Sequence, residues 1–153
     1  MKLIDNGNKV FKVIPEGKRV EGYLLSKWVG SDLKEGIKPI YKKIIKPLAE
    51  ELTILNMNDG SFYYNNDEET LVPIINGKSL CDSHDEFSEK IGIDVCAAKM
   101  ELKNHVKLAI LYSRMHKLLV ETAIIVDAWC IKHHEKAKAI EDDLINYYGR
   151  GKN

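Results

Sequence analysis

No P-loop, no G-x-G-x-x-G, no G-x-S-x-G and no H-E-x-x-H occurs in this sequence, so phosphate-cradling, dinucleotide-binding, nucleophile-elbow and zinc-protease chemistries have no signature to rest on. Cysteine is scarce. Cys81, Cys96 and Cys130 are an odd number without a dense framework, which excludes a disulfide scaffold and fits reduced thiols in a cytoplasm. No paired C-x-x-C knuckle is present to support a zinc site built on Cys81, His84 and Cys96, and neither a metal nor a cofactor is expected. The N-terminus has no charged segment followed by an apolar one, which gives no secretory signal, and charges interrupt the longest apolar run, which gives no membrane span. Net charge is also missing. Balanced acids and bases argue against a general DNA-coating protein and against an acidic DNA mimic.

What is present is a chain of 153 residues, enough for one well-buried core and short for two ordinary domains. Its charges are unevenly placed: residues 1–50 hold 11 basic and 6 acidic side chains, residues 51–94 hold 2 and 10, and residues 95–153 hold 10 and 7. Such asymmetry suits head-to-tail contacts between subunits or separate charged faces.

The spacing predicts an α+β fold: a small antiparallel sheet of hairpins with an amphipathic helix in residues 1–92, a long or hairpin-folded helical region in residues 93–148, and a flexible tail in residues 149–153. Lys9–Ile14 and Arg19–Leu25 read as strands around the Pro15–Lys18 turn. Trp28 follows as a core, edge or contact residue. Ile37, Ile40, Tyr41, Ile44, Leu48, Leu52 and Leu55 recur at helical spacing, with Pro47 implying a kink or two short helices meeting. Lysines 38, 42, 43 and 46 crowd the polar side, a stripe able to hold phosphates but more simply a solvated face. Asn58-Asp59-Gly60 is a turn, Ser61–Tyr64 a strand, and Asn65–Glu69 an acidic loop. Thr70–Ile75 is a strand that Pro73 places near an edge, and Asn76-Gly77 is expected to turn it back as Lys78–Cys81. Ser83-His84-Asp85-Glu86 fits the S-x-x-E capping box at a helix start, with Phe87 next and Gly92 either a break or a close-packing position.

The run from Gly77 through Cys81, Asp85 and Phe87, continued by Gly92, Ala97, Ala98 and Leu102, resembles a pattern in small proteins of unassigned activity carried by phages and prophages of Gram-positive bacteria. They carry a strand ending in Cys, a D-x-F element, a Gly five residues after the Phe, and an Ala-containing helix. The likeness covers residues 70–103. It implies provenance rather than mechanism, with Asp85 as a helix cap and Phe87 as an anchor into the sheet.

Ile93 to Tyr148 is 56 residues without Gly or Pro. Within and around it, Ile91, Val95, Ala98, Leu102 and their successors to Leu144 and Tyr147 alternate at steps of four and three, a seam of the coiled-coil kind. A second apolar face carries Leu108, Leu111, Met115, Leu118, Ile125 and Trp129, so this helix must be covered on most sides. A straight helix of that length would run roughly 84 Å. It is therefore expected to fold back near residues 112–117 or 132–135, or to be covered by a partner chain. Asp127, set among apolar residues, should take a Lys, Arg or His partner.

These readings point to a phage- or prophage-type accessory protein of the host cytoplasm that binds a protein partner, in host takeover or counter-defence, and self-associates through Leu119, Ala123, Val126, Trp129 and Cys130. The titratable residues converge on no reaction class, and the chain is not read as an enzyme. Two alternatives remain. In its general architecture the chain resembles counter-defence proteins that sequester nucleotide signals between subunits, for which Trp28, Tyr63, Arg114 and Lys117 offer stacking and phosphate contacts. Nucleic-acid binding would fall to the basic stripe at residues 38–46.

Overall fold

The computed structural model describes residues 1–34, 40–56 and 61–150. A meander opens it: β1 (Lys2–Asn6), β2 (Lys9–Ile14) and β3 (Arg19–Leu25) pair antiparallel in sequence order. β1 and β2 meet through Gly7 and Asn8, with Gly7 at φ 72°, as the first central residue of a type II′ hairpin requires. A single 3₁₀ turn at Pro15–Gly17 joins β2 to β3 and closes with Lys18 in the left-handed region. The sheet is completed by β4 (Phe62–Asn65) and β5 (Thr70–Leu80), giving the order β1-β2-β3-β5-β4, and the antiparallel α+β architecture matches expectation.

Asn76-Gly77 does not turn the chain. β5 runs straight through it for 11 residues, with Gly77 paired to Gly22 on β3. The reason lies across the sheet: a Cβ on Gly22 would come within 2.8 Å of Cys96 Sγ and Met100 Cε, and one on Gly77 would collide with Met100 Cγ. These glycines are there for the approach of a helix, not for a bend. Pro73 lies on β5, the strand next to the edge strand β4, as expected. Its carbonyl points to Ser26 N at 2.8 Å, just beyond the last β3–β5 pair, so its missing N–H falls where β3 has ended.

Between the meander and β4 lie a π-helical turn at Tyr41–Ile45 and α1 (Lys46–Asn56), two helical pieces meeting beside Pro47, which cannot donate to the ladder. The wider π turn moves the buried face off the expected one: Tyr41, Ile45, Ala49 and Leu52 are buried while Ile40, Ile44 and Leu55 are exposed. The expected turn at residues 58–60 and Ile37, Lys38 and Pro39 lie outside the described residues.

The last element, α2, spans Glu89–Arg150 as one helix, so the chain does not fold back at residues 112–117 or 132–135. It begins later than the S-x-x-E match suggests. Residues 83–85 form a turn in which Asp82 Oδ1 accepts from His84 N at 3.0 Å, and the side chain at the helix start is Ser88, whose Oγ accepts from Ile91 N at 3.4 Å. Ser83, Asp85 and Glu86 therefore do not cap α2. Phe87, immediately before that start, packs partly buried against the sheet core, the anchoring role expected of it.

The chain divides into two compact units, Met1–Met115 and a second beginning at His116. The division follows Met115 rather than Gly92 because residues 93–115 supply core to the first unit. Two clusters hold that unit together. Phe11, Val13, Val20, Leu24 and Ile75 pack with Cys96 and Met100; Trp28, Val29, Tyr41, Ile45, Ala49 and Leu52 pack with Leu111 and Met115. At Gly92 a Cβ would come within 2.7 Å of Val20 Cγ2, which makes this glycine a third close-approach position rather than a break.

β4 pairs with β5 as far as Phe62↔Pro73, and among the described residues no strand pairs with the outer side of β5 beyond Ile74. Its outward carbonyls find other donors: Lys103 Nζ reaches Asn76 O at 3.4 Å and Lys99 Nζ reaches Lys78 O at 3.3 Å. Among the described residues no helix is long and apolar enough to cross a membrane.

Candidate functional site

In the first unit, a cleft of about 500 Å³ opens between the segment following β3 and the α2 face at residues 101–112. Its floor is polar. Ser26 and Asn104, both buried, are hydrogen-bonded to one another. The Tyr112 hydroxyl accepts from Gly30 N at 2.9 Å and donates to Asp32 Oδ2 at 3.1 Å, which ties the Trp28–Leu33 segment to α2. Gly30 sits at φ 98°, with a Cβ there falling 2.6 Å from the Trp28 ring, so the bend admits only glycine. Burial above all raises the Tyr112 pKa, helped by the Asp32 charge, and the phenol keeps its proton as donor. The carboxylates around the cleft have partners: Lys27 lies 3.6 Å from Asp32, Lys9 2.7 Å from Glu101, and His105 Nε2 3.5 Å from Glu101. This arrangement latches a loop to a helix.

A second cleft, about 480 Å³, lies at the end of β5 around Cys81, Phe87 and Ile91. Lys18 Nζ donates to Ser83 O at 3.1 Å and Asp85 O at 2.6 Å, and the Cys81 thiol lies 3.5 Å from Asp82 O. The strand-Cys and D-x-F residues thus form one backbone-bonded corner. Cys96 is elsewhere, fully buried in the sheet core with its pKa raised by that burial, so Cys81, His84 and Cys96 form no ligand set. Among the described residues no group of three His, Cys, Asp or Glu side chains could hold a metal ion.

The residues nominated for a nucleotide are not brought together. Trp28 is 2 % exposed and stacks 5.9 Å from Tyr41 in the second core, so its ring is sealed from any base. Tyr63 is exposed on β4, Arg114 is exposed on α2, and Lys117 belongs to the second unit. Of the basic stripe, Lys42 and Lys46 line a third cleft together with Asp67, Glu68 and Glu69, whose carboxylates oppose a polyanion there. Glu68 also contributes, after burial, to raising the pKa of Tyr41 beside them.

A long exposed surface lies in the second unit. Every residue from His116 to Gly149 is exposed, including Leu118, Leu119, Val120, Ile124, Ile125 and Val126 in close succession. Trp129 is exposed with Lys132 Nζ 4.9 Å over its ring. Asp127 is exposed as well and takes no ion-pair partner among the described residues, against the expectation of a buried pair. Leu119, Ala123, Val126, Trp129 and Cys130 all lie open on this helix.

The first unit shows which face of α2 the sheet and α1 consume. Cys96, Met100, Asn104, Leu111 and Met115 point inward at steps of four and seven, while the seam residues Ile91, Val95, Leu102 and Ala109 face out. The second apolar face is the one used by the fold, and the four-three seam is left over. Sequence alone carried no signal for the Ser26–Asn104 pair or the Tyr112 latch, whose members lie some 80 residues apart.

Comparison with protein families, with curated proteins and with solved structures gives no match for this chain.

Proposed function

We propose that this chain is a small accessory protein of the phage or prophage kind that acts by binding in the host cytoplasm. The first unit supplies a stably packed fold, and the helix of the second unit is the surface for copies of the chain and for a protein partner. One observation carries the reading: residues 118–131 are exposed throughout and are apolar except for Glu121, Thr122 and Asp127. Monomeric soluble proteins rarely leave so large an apolar patch open, and such patches mark interaction sites. The resemblance of residues 70–103 to phage proteins supports the provenance, and the partnered carboxylates of the latch cleft favour binding over chemistry.

Sedimentation over a concentration series tests it. Self-association in the micromolar range is expected, and Leu119→Glu with Val126→Glu should abolish it while leaving the helical circular dichroism of the first unit in place. A native chain that stays monomeric at high concentration overturns the reading.

A further inference from the structure

Along residues 116–147 the seam alternates two sets of positions, one holding Leu119, Val126, His133, Ile140 and Tyr147, the other His116, Ala123, Cys130, Ala137 and Leu144, and all ten are exposed. We infer that this helix packs against the same helix of a second copy, parallel and in register, so that Cys130 faces its own counterpart. The inference rests on the self-association proposed above and adds its direction.

Charge selects the direction. In a parallel pair the residue just before the second set meets the residue five further on in the other helix, and these flanking pairs set orientation. Lys136 then meets Glu141 of the second copy, and symmetry makes that contact twice. The remaining flanking pairs, Thr122 with Asp127, Trp129 with His134 and Asp143 with Tyr148, bring together no two like-charged side chains at neutral pH. An antiparallel pair centred on the apolar stretch would instead set Lys136 beside residues 113–115, where no carboxylate stands.

Geometry makes Cys130 the reporter. Helix axes about 9–10 Å apart, less two Cα radii of about 2.3 Å, leave facing Cα atoms about 5 Å apart, inside the roughly 4.4–6.8 Å that a disulfide spans. An outward position such as Ala128 would lie about 14 Å from its counterpart on the same reckoning. In a Cys81→Ala chain Cys130 is the sole exposed thiol, because Cys96 is fully buried.

The experiment oxidises that chain with diamide, which takes up the two protons and two electrons released as two thiols become one disulfide, and follows it on non-reducing gels beside sedimentation. A covalent dimer reversible by dithiothreitol is expected. It should form at least about tenfold faster than in a Cys81→Ala, Cys130→Ala, Ala128→Cys chain, whose thiols point apart. Lys136→Glu should weaken association, and Lys136→Glu with Glu141→Lys should restore it. Association without preferential Cys130 cross-linking, or without rescue by the charge swap, overturns the parallel register and leaves the binding reading standing. A monomer in sedimentation overturns both.

Discussion

Gly22 and Gly77 stand directly opposite one another on β3 and β5, and Met100 of α2 fills the space that their side chains would need. Helix and sheet can approach this closely only because neither strand carries a Cβ there. Gly77→Ala should therefore destabilise the first unit by about 1–3 kcal/mol through overpacking. Combining it with Met100→Ala should give less than the sum of the two losses, since the methionine is what the new methyl strikes. Urea denaturation of the single and double variants measures both, and strict additivity would show that the contact is not the cause.

Tyr112→Phe removes one oxygen that serves two groups. Gly30 N–H, in a buried bend, loses its acceptor, and Asp32 loses a donor. A buried donor left unpaired costs roughly 1–3 kcal/mol. The loss should appear in the urea midpoint and, because the same segment carries Trp28, in a red shift of tryptophan emission relative to a Trp129→Phe background.

Helix capping separates two serines that look alike in sequence. Ser88→Ala removes the acceptor of Ile91 N and should cost about 0.5–2 kcal/mol. Ser83→Ala should stay within about 0.5 kcal/mol, as at an ordinary surface site. Equal losses at the two positions would return the cap to the S-x-x-E match.

Cys96, Tyr41 and Tyr112 each have a raised pKa, with burial the largest cause in every case. The unfolded chain gives up these protons at lower pH than the folded chain does. Their contribution is thus complete below the ordinary values of 9.0 for the thiol and 10.0 for the phenols, and is lost as pH rises through the raised ones. The urea midpoint should fall steadily from about pH 8 to about pH 11. Cys96→Ala should flatten the earliest part of that fall, and an unchanged profile would assign it to other groups.

Local cues were legible where one segment decides the outcome. The β2–β3 hairpin, the strand at Phe62–Asn65, the acidic turn after it and the break at Pro47 can all be read from a few adjacent residues. The dipeptide Asn-Gly shows where such reading ends. It occurs at residues 6–7 and again at 76–77, and only the first turns the chain, with Gly7 at positive φ. At the second, Met100 requires a residue without a side chain, and that requirement comes from 23 positions away. The α2 periodicity showed two apolar faces without saying which one the fold consumes; the sheet glycines, lying in other segments, decide it. Trp28 was equally ambiguous, since its burial depends on α1 and on residues 111–115.

Lys99 and Lys103 have a consequence beyond their two hydrogen bonds. On the outer side of β5 the carbonyls of Asn76 and Lys78 have no strand partner among the described residues, and unpaired strand margins invite cross-β growth between molecules. Two ammonium groups already occupy those acceptors and bring positive charge to the margin. Under the association proposed above, such protection of the sheet margin would leave assembly to the exposed helix of the second unit.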